Sequence, residues 1–259
     1  NGRAWERFNV RRENIDIRGR VEPVFLDVRS TPRGPIVTDV LEPRVRNAPA
    51  LSVRWTGHQP GDDLKGLFGL NRASSWQTFL DAVQHYSAPC QNFTYADVEG
   101  NIGYALAGRV PRRRDGRGHM IYNGWEGAGD WLNPIPFARM PRTLNPRSGI
   151  IASANNRMAP ASYPYYLSRA WEPESRVNRI VELLRSGEKF TIDDFRRMQM
   201  DAYSVHARRV MQSVAPVLEN TTLAEHELTI WTLLSNWEFN EDFEEAGPTI
   251  CLLYTSDAA

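Results

Sequence analysis

The spacing of apolar positions changes along the chain, and the change separates a strand-rich stretch, residues 5–157, from a helical one, residues 174–238. In the first stretch apolar residues alternate with polar ones. Val10, Ile15 and Ile17 punctuate a charged run, and Val24-Phe25-Leu26-Asp27-Val28 and Pro35-Ile36-Val37-Thr38 follow turns marked by Gly and Pro. This pattern predicts an antiparallel meander with one wet face, its Arg11, Arg12 and Glu13 being solvated cross-strand neighbours. A further short strand is expected over residues 51–55. Two more, over 91–97 and 101–107, are joined by Val98-Glu99-Gly100 as a hairpin. Gly103 inside the second of these predicts a bulge or the close approach of another backbone.

Helical spacing appears first at Trp76, Phe79, Leu80 and Val83, behind Ser75 as N-cap, and predicts a helix to about residue 86. Its aromatic stripe is core, and His85 near its end is a surface charge rather than a catalyst. Over 174–186, Val177, Ile180, Val181 and Leu184 share a face, and Gly187 ends the element. Arg176 and Arg179 oppose the helix dipole there, so at least one is expected to have a specific partner. Thr191, with Asp193 and Asp194 behind it, opens a second helix expected to run through Met198 and Tyr203 to about residue 214, and a third covers 223–237. Between 116 and 147 periodicity lapses. Trp125, Trp131 and Phe137 stand there among Pro134, Pro136, Pro141 and Pro146, in a segment that either packs on its own aromatics or walls an apolar pocket.

Composition narrows the functional classes. With 31 basic and 31 acidic side chains in 259 residues there is no global field to draw in nucleic acid, which disfavours a nucleic-acid partner. No apolar run approaches the roughly 20 residues that span a bilayer, so no membrane partner is expected. Cys90 and Cys251 are too few for a disulfide framework and lack metal-site spacing; Cys90 is expected to pack as a small hydrophobe. Arg109, Arg112, Arg113, Arg114 and Arg117 have the make-up of a phosphate or carboxylate patch, although their Pro, Gly and Asp neighbours favour a solvated loop. The first residues lack a starting Met and a signal-peptide pattern and read as the middle of something longer. Residues 251–259 fit no pattern and read as a non-native tail.

The stretch Ser148-Gly149-Ile150-Ile151-Ala152-Ser153-Ala154-Asn155-Asn156-Arg157 carries the candidate chemistry. Its apolar run has the length and branching of a buried strand, which would leave Asn155 and Asn156 at the strand's C-terminal lip. A carboxamide N–H fixed there suits a developing oxyanion, a donor worth about 3 kcal/mol in acyl transfer. The alternative is a turn in which the amides bond their own backbone.

Several segments, in order, resemble the penicillin acylase family, which includes cephalosporin and acyl-homoserine-lactone acylases. They are Gln91-Asn92-Phe93-Thr94-Tyr95-Ala96-Asp97 through Gly108-Arg109-Val110-Pro111; Ser153-Ala154-Asn155-Asn156-Arg157 with Tyr163-Pro164; and Arg176-Val177-Asn178-Arg179-Ile180. Arg33-Gly34-Pro35-Ile36 stands where many relatives have His-Gly-Pro, and the resemblance extends from Trp5 to Ile250. It implies an α+β fold: a partial αββα sandwich of the N-terminal-nucleophile hydrolase type, with antiparallel sheets and C-terminal helices. It also implies a self-cleaving precursor whose β-chain opens with a Ser that attacks an amide carbonyl, its own α-amino group acting as base. On this resemblance Asn155 matches the oxyanion-hole Asn and Arg176 the Arg that orients the centre; the Arg176 match takes a spacing one residue shorter than in some relatives, which leaves Arg179 as the alternative.

The nucleophile would then lie upstream of Trp5, and residues 1–250 would be a β-chain fragment with Asn1 at its edge, inactive by itself. The implied partners are a small-molecule amide substrate and the missing α-chain and β-chain N-terminus; the alternatives are an acyl-homoserine-lactone acylase or a non-catalytic ligand-binding homologue. No cofactor is required for the chemistry. A structural calcium in the full-length parent would take most of its ligands from outside this chain, since Tyr165 and Tyr166 stand where a calcium carboxylate is expected. The family setting is periplasmic or extracellular.

Overall fold

In the structure, a computed structural model, residues 5–41, 49–187 and 189–256 are described; Asn1 and the last three residues of the expected tail lie outside them. The chain divides into two units. One holds the described residues up to Arg147 together with Ala161–Arg169, the other Ser148–Pro160 together with the described residues from Ala170 onward.

In the first unit β1 (Asn9–Ile15) and β2 (Val24–Thr31) pair antiparallel, from Asn9 opposite Ser30 to Ile15 opposite Val24, and the short β3 (Gly34–Pro35) completes the sheet. The cross-strand reading of the charges holds for Arg12, whose guanidinium donates Nε and one Nη to both oxygens of Asp27, at 2.7 and 2.8 Å, whereas Arg11 and Glu13 pair with each other along β1. The expectation of a single wet face is not met, because Val10, Ile15, Phe25 and Leu26 are all exposed. The expected strand over 51–55 contracts to one bridge, Ser52 opposite Ile36, since only the two residues of β3 and Ile36 offer it an edge.

The sequence pattern misses α1 (Asp63–Leu70), whose Gly66 and Gly69 lower helix propensity. Tertiary packing explains both glycines. A Cβ on Gly66 would press on the Ala82 carbonyl at 3.2 Å and one on Gly69 would meet the Ala82 Cβ at 2.9 Å, so the glycines let α1 lie against α2 (Trp76–Val83). Helix α2 starts as expected, with a reciprocal capping box between Ser75 and Thr78, but stops at Val83. Its inner face, Phe79, Leu80 and Val83, packs with Ala105 and Ala107 into the main core of this unit.

Those alanines belong to the expected hairpin, β4 (Gln91–Ala96) and β5 (Ile102–Ala107), paired from Gln91 opposite Ala107 to Ala96 opposite Ile102. Gly103 marks a close approach, but of a side chain: a Cβ there would run into the Trp76 ring. The segment expected to be irregular contains two short strands. The arginine cluster forms β6 (Pro111–Arg113), which pairs with β7 (Trp131–Pro134), and β8 (Arg142–Leu144) joins β5. Cys90 is exposed rather than packed.

The second unit is helical. Its α3 (Ser175–Arg185), α4 (Ile192–Gln199), α5 (Val205–Leu218) and α6 (Glu225–Ser235) follow the expected pattern with one correction. What reads as one helix from Thr191 to about residue 214 is two. Thr191 caps α4 in a box with Asp194, and Ser204 caps α5 through a bond from the Ala207 N–H. The break is fastened from outside the helices, because the Ser204 N–H donates to the Phe239 carbonyl at 2.7 Å and the Glu241 N–H to the Ala202 carbonyl at 2.9 Å. Finally α7 (Ala246–Ser256) brings Cys251 into a small core with Ala207 and Trp237.

Candidate active site around Asn155 and Arg176

Residues 149–152 carry no strand ladder, so the expectation of a buried strand fails for the chain as described; the register that would pair this run has no strand beside it. The turn that follows is nevertheless tightly specified. Asn156 does what a turn amide does: its Oδ1 accepts from the Ala154 N–H at 2.9 Å. Asn155 adopts φ 61°, a left-handed conformation that Asn tolerates better than most residues, and its own carbonyl accepts from the Glu172 N–H at 3.1 Å. The two readings of the Asn pair therefore fall on different residues, with Asn156 making the turn and Asn155 presenting a side chain.

That side chain faces Arg176. Nη2 of Arg176 donates to the Ala154 carbonyl at 3.0 Å and to Oδ1 of Asn155 at 2.9 Å. A guanidinium has only donors, so the amide must turn its oxygen toward it. Its N–H groups then point the other way, available to an acceptor. Asn155 is exposed and Arg176 keeps 57% of its side-chain surface open.

Arg176 stands at the second position of α3, where the dipole disfavours a cation. Glu172, at 3.9 Å, and the two carbonyl acceptors offset that cost. Arg179, one turn on, has a different job. It grips Asp201 with Nε and Nη2 at 2.8 and 2.6 Å, reaches Glu182 at 3.4 Å and lies 4.4 Å over the Tyr203 ring. Arg208 of α5 closes the network on Glu182 at 3.0 Å. These bonds fix α3 against the α4–α5 junction, and with it the turn carrying Arg176. Hydrogen bonds from Arg179 hold the Asp201 carboxyl below the ordinary range, and those from Arg208 do the same for Glu182. Of the two arginines left open by spacing, Arg176 is the one that touches Asn155.

The model of the family described as penicillin amidase matches residues 1–256. The chain belongs to the penicillin amidase family. Among similar proteins, a penicillin acylase 2 proenzyme from Pseudomonas sp. (strain SE83) is 32% identical over 207 residues, covering 79% of this chain and 26% of that protein. An acyl-homoserine lactone acylase, QuiP, from Pseudomonas fluorescens is 30% identical, over 73% of this chain and 23% of its own length. The penicillin G acylase of Escherichia coli is 27% identical over 95% of this chain and 29% of its own length. The chain thus spans about a quarter of the length of these amidase relatives. Among solved structures, the thermostable penicillin G acylase from Alcaligenes faecalis matches with a TM-score of 0.72 at 22% identity, over 97% of this chain and 45% of that one. That likeness establishes the α+β, N-terminal-nucleophile-hydrolase fold expected from the sequence.

Sequence reading missed Glu172, whose signal was its place four residues before Arg176, a spacing that favours an ion pair. Where it favoured a solvated loop for the arginine cluster, Pro111–Arg113 is a strand, β6. Among the described residues there is no group of three or more His, Cys, Asp or Glu that could hold a metal ion. No helix among the described residues is long and apolar enough to cross a membrane.

Proposed function

We propose that this chain is the part of an amide hydrolase that carries the oxyanion donor, Asn155, and the group that aims it, Arg176. The observation behind this reading is the 2.9 Å bond from Arg176 to Oδ1 of Asn155, which turns the amide N–H groups outward in a chain of the penicillin amidase family. The nucleophile, a Ser opening a β-chain, comes from the part of the relatives' length that this chain does not span. Its Oγ adds to the amide carbonyl while its α-amino group takes the proton, and the negative charge formed on the carbonyl oxygen is met by Asn155 Nδ2–H. Collapse breaks the C–N bond and expels the amine, which takes the proton held by the α-amino group, and water then releases the acid from the acyl-enzyme. Arg176 does not touch the substrate in this scheme. It holds the donor in place before the charge develops, so that no reorganisation is needed then.

The substrate is a small amide, and a penicillin-type amide is the leading choice. A quorum-signal amide with a homoserine-lactone leaving group is the second reading, favoured by the acyl-homoserine lactone acylases among the relatives. The working protein comprises this chain with the remainder of its β-chain and an α-chain cut from the same precursor, in the periplasm or outside the cell. The test is Asn155→Ala in the full-length protein, with chain processing checked by electrophoresis. Turnover on a panel of amides of increasing acyl length falls about 100- to 1000-fold. Undiminished turnover in a correctly processed variant removes Asn155 from the mechanism, and the acyl-length optimum of the parent separates the two substrate readings.

A further inference from the structure

A second site lies in the strand-rich unit. Beside the β6–β7 ribbon is a cavity of about 630 Å³ whose lining includes Arg54, Arg109 and Arg112 and no acidic residue. In a chain with no net charge this is a concentrated positive site. Each guanidinium is placed by the fold. Arg54 lies 4.7 Å over the Trp131 ring. Arg112 donates Nε to the Asn133 carbonyl across the ribbon at 2.9 Å, and Arg109 is fixed at its backbone by an N–H bond to the Ser87 carbonyl at 2.7 Å. Asp130, whose charge is also felt by Arg54, is hydrogen-bonded to Nε of Arg33 at 2.7 Å. Among the described residues none of the three lining arginines forms a salt bridge.

The other walls are the Trp131 ring, Pro111, Leu132 and Pro134, which are flat or apolar, and the uncharged polar residues Thr56, Gln59 and Asn133. Guanidinium forks match carboxylate geometry, and the apolar walls formed by Pro111, Leu132, Pro134 and the edge of the ring that Arg54 covers suit a flat apolar body. We infer that this cavity binds an organic carboxylate with a flat apolar body, at a site separate from Asn155 and independent of the proposed hydrolysis.

The test is calorimetric titration of benzoate into the full-length protein, with benzyl alcohol as the uncharged match and inorganic phosphate as the anion without a ring. Hydrogen exchange is followed in peptides covering 109–113 and 131–134. Benzoate is expected to protect both peptides and to bind at least about tenfold more tightly than either control. Arg54→Gln and Arg112→Gln, each at an exposed side chain, should weaken benzoate about tenfold while leaving the unfolding temperature unchanged; Arg109→Gln should do the same. Phosphate binding as tightly as benzoate overturns the ligand class. Benzoate binding that ignores Arg54→Gln and Arg112→Gln, or leaves 131–134 unprotected, overturns the site.

Discussion

If Arg176 acts through Asn155, the two residues must fail together, and a double-mutant cycle measures this. In Arg176→Ala the Ala154 carbonyl and Asn155 Oδ1 lose the donor that reaches them at 3.0 and 2.9 Å. A hydrogen bond to a charged partner is worth about 1.5–3 kcal/mol, and about 1.4 kcal/mol is tenfold in rate, so turnover should fall roughly 10- to 100-fold. Nothing in the scheme lets Arg176 contact bound substrate, so KM should stay within about twofold. Asn155→Ala alone costs about 100- to 1000-fold. With the amide already gone, removing Arg176 as well should change little, and the double variant should match Asn155→Ala to within a few-fold. The assay is initial-rate hydrolysis of a chromogenic amide by the processed full-length protein, with Arg176→Lys as an intermediate case that keeps one donor. Losses that multiply, so that the double variant is roughly 10- to 100-fold slower than Asn155→Ala itself, would falsify the claim that Arg176 works by aiming Asn155.

Three further outcomes concern the scaffold. Gly103→Ala should destabilise the strand-rich unit by about 1–3 kcal/mol in urea unfolding, because the new Cβ collides with the Trp76 ring, and Trp76→Leu in the same chain should restore part of the loss. Asp201→Asn should lower the unfolding midpoint by about 1.5–3 kcal/mol, since Arg179 loses its paired acceptor while only 27% of its side chain is exposed. The carboxyls of Asp201 and Glu182 are both depressed in the folded state, so their contribution is present above the unfolded carboxylate range of about 3.9–4.3 and is lost as pH falls through and below it. Acid titration of the unfolding midpoint should therefore flatten in Asp201→Asn, and an unchanged acid slope would remove the network from the account. Val83→Ala, at a side chain with no exposed surface, should cost about 2 kcal/mol by opening a cavity between α2 and β5.

What the sequence determined by itself is what local chemistry decides. Ser75 and Thr191 announce their helices because a hydroxyl or carboxylate three residues away satisfies the free N–H groups there. The β4–β5 hairpin is visible because its strands are adjacent along the chain and its turn is short. Resemblance over several ordered segments reached the family, while local pattern alone left the Asn pair as an ordinary turn.

Tertiary structure decided the rest, wherever a residue's role is set by a partner distant in sequence. Gly66 and Gly69 break the local helix signal and are helical because α2 accepts only a bare backbone there. The break at Tyr203 and Ser204 is imposed by Phe239 and Glu241, some 35 residues on. Which Asn makes the turn and which faces Arg176, across 21 residues, depends on a hydrogen bond that no periodicity encodes. The arginines of β6 look like a solvated loop until Trp131 and Arg54 are folded against them, because charge density in a cavity is a property of arrangement and not of composition.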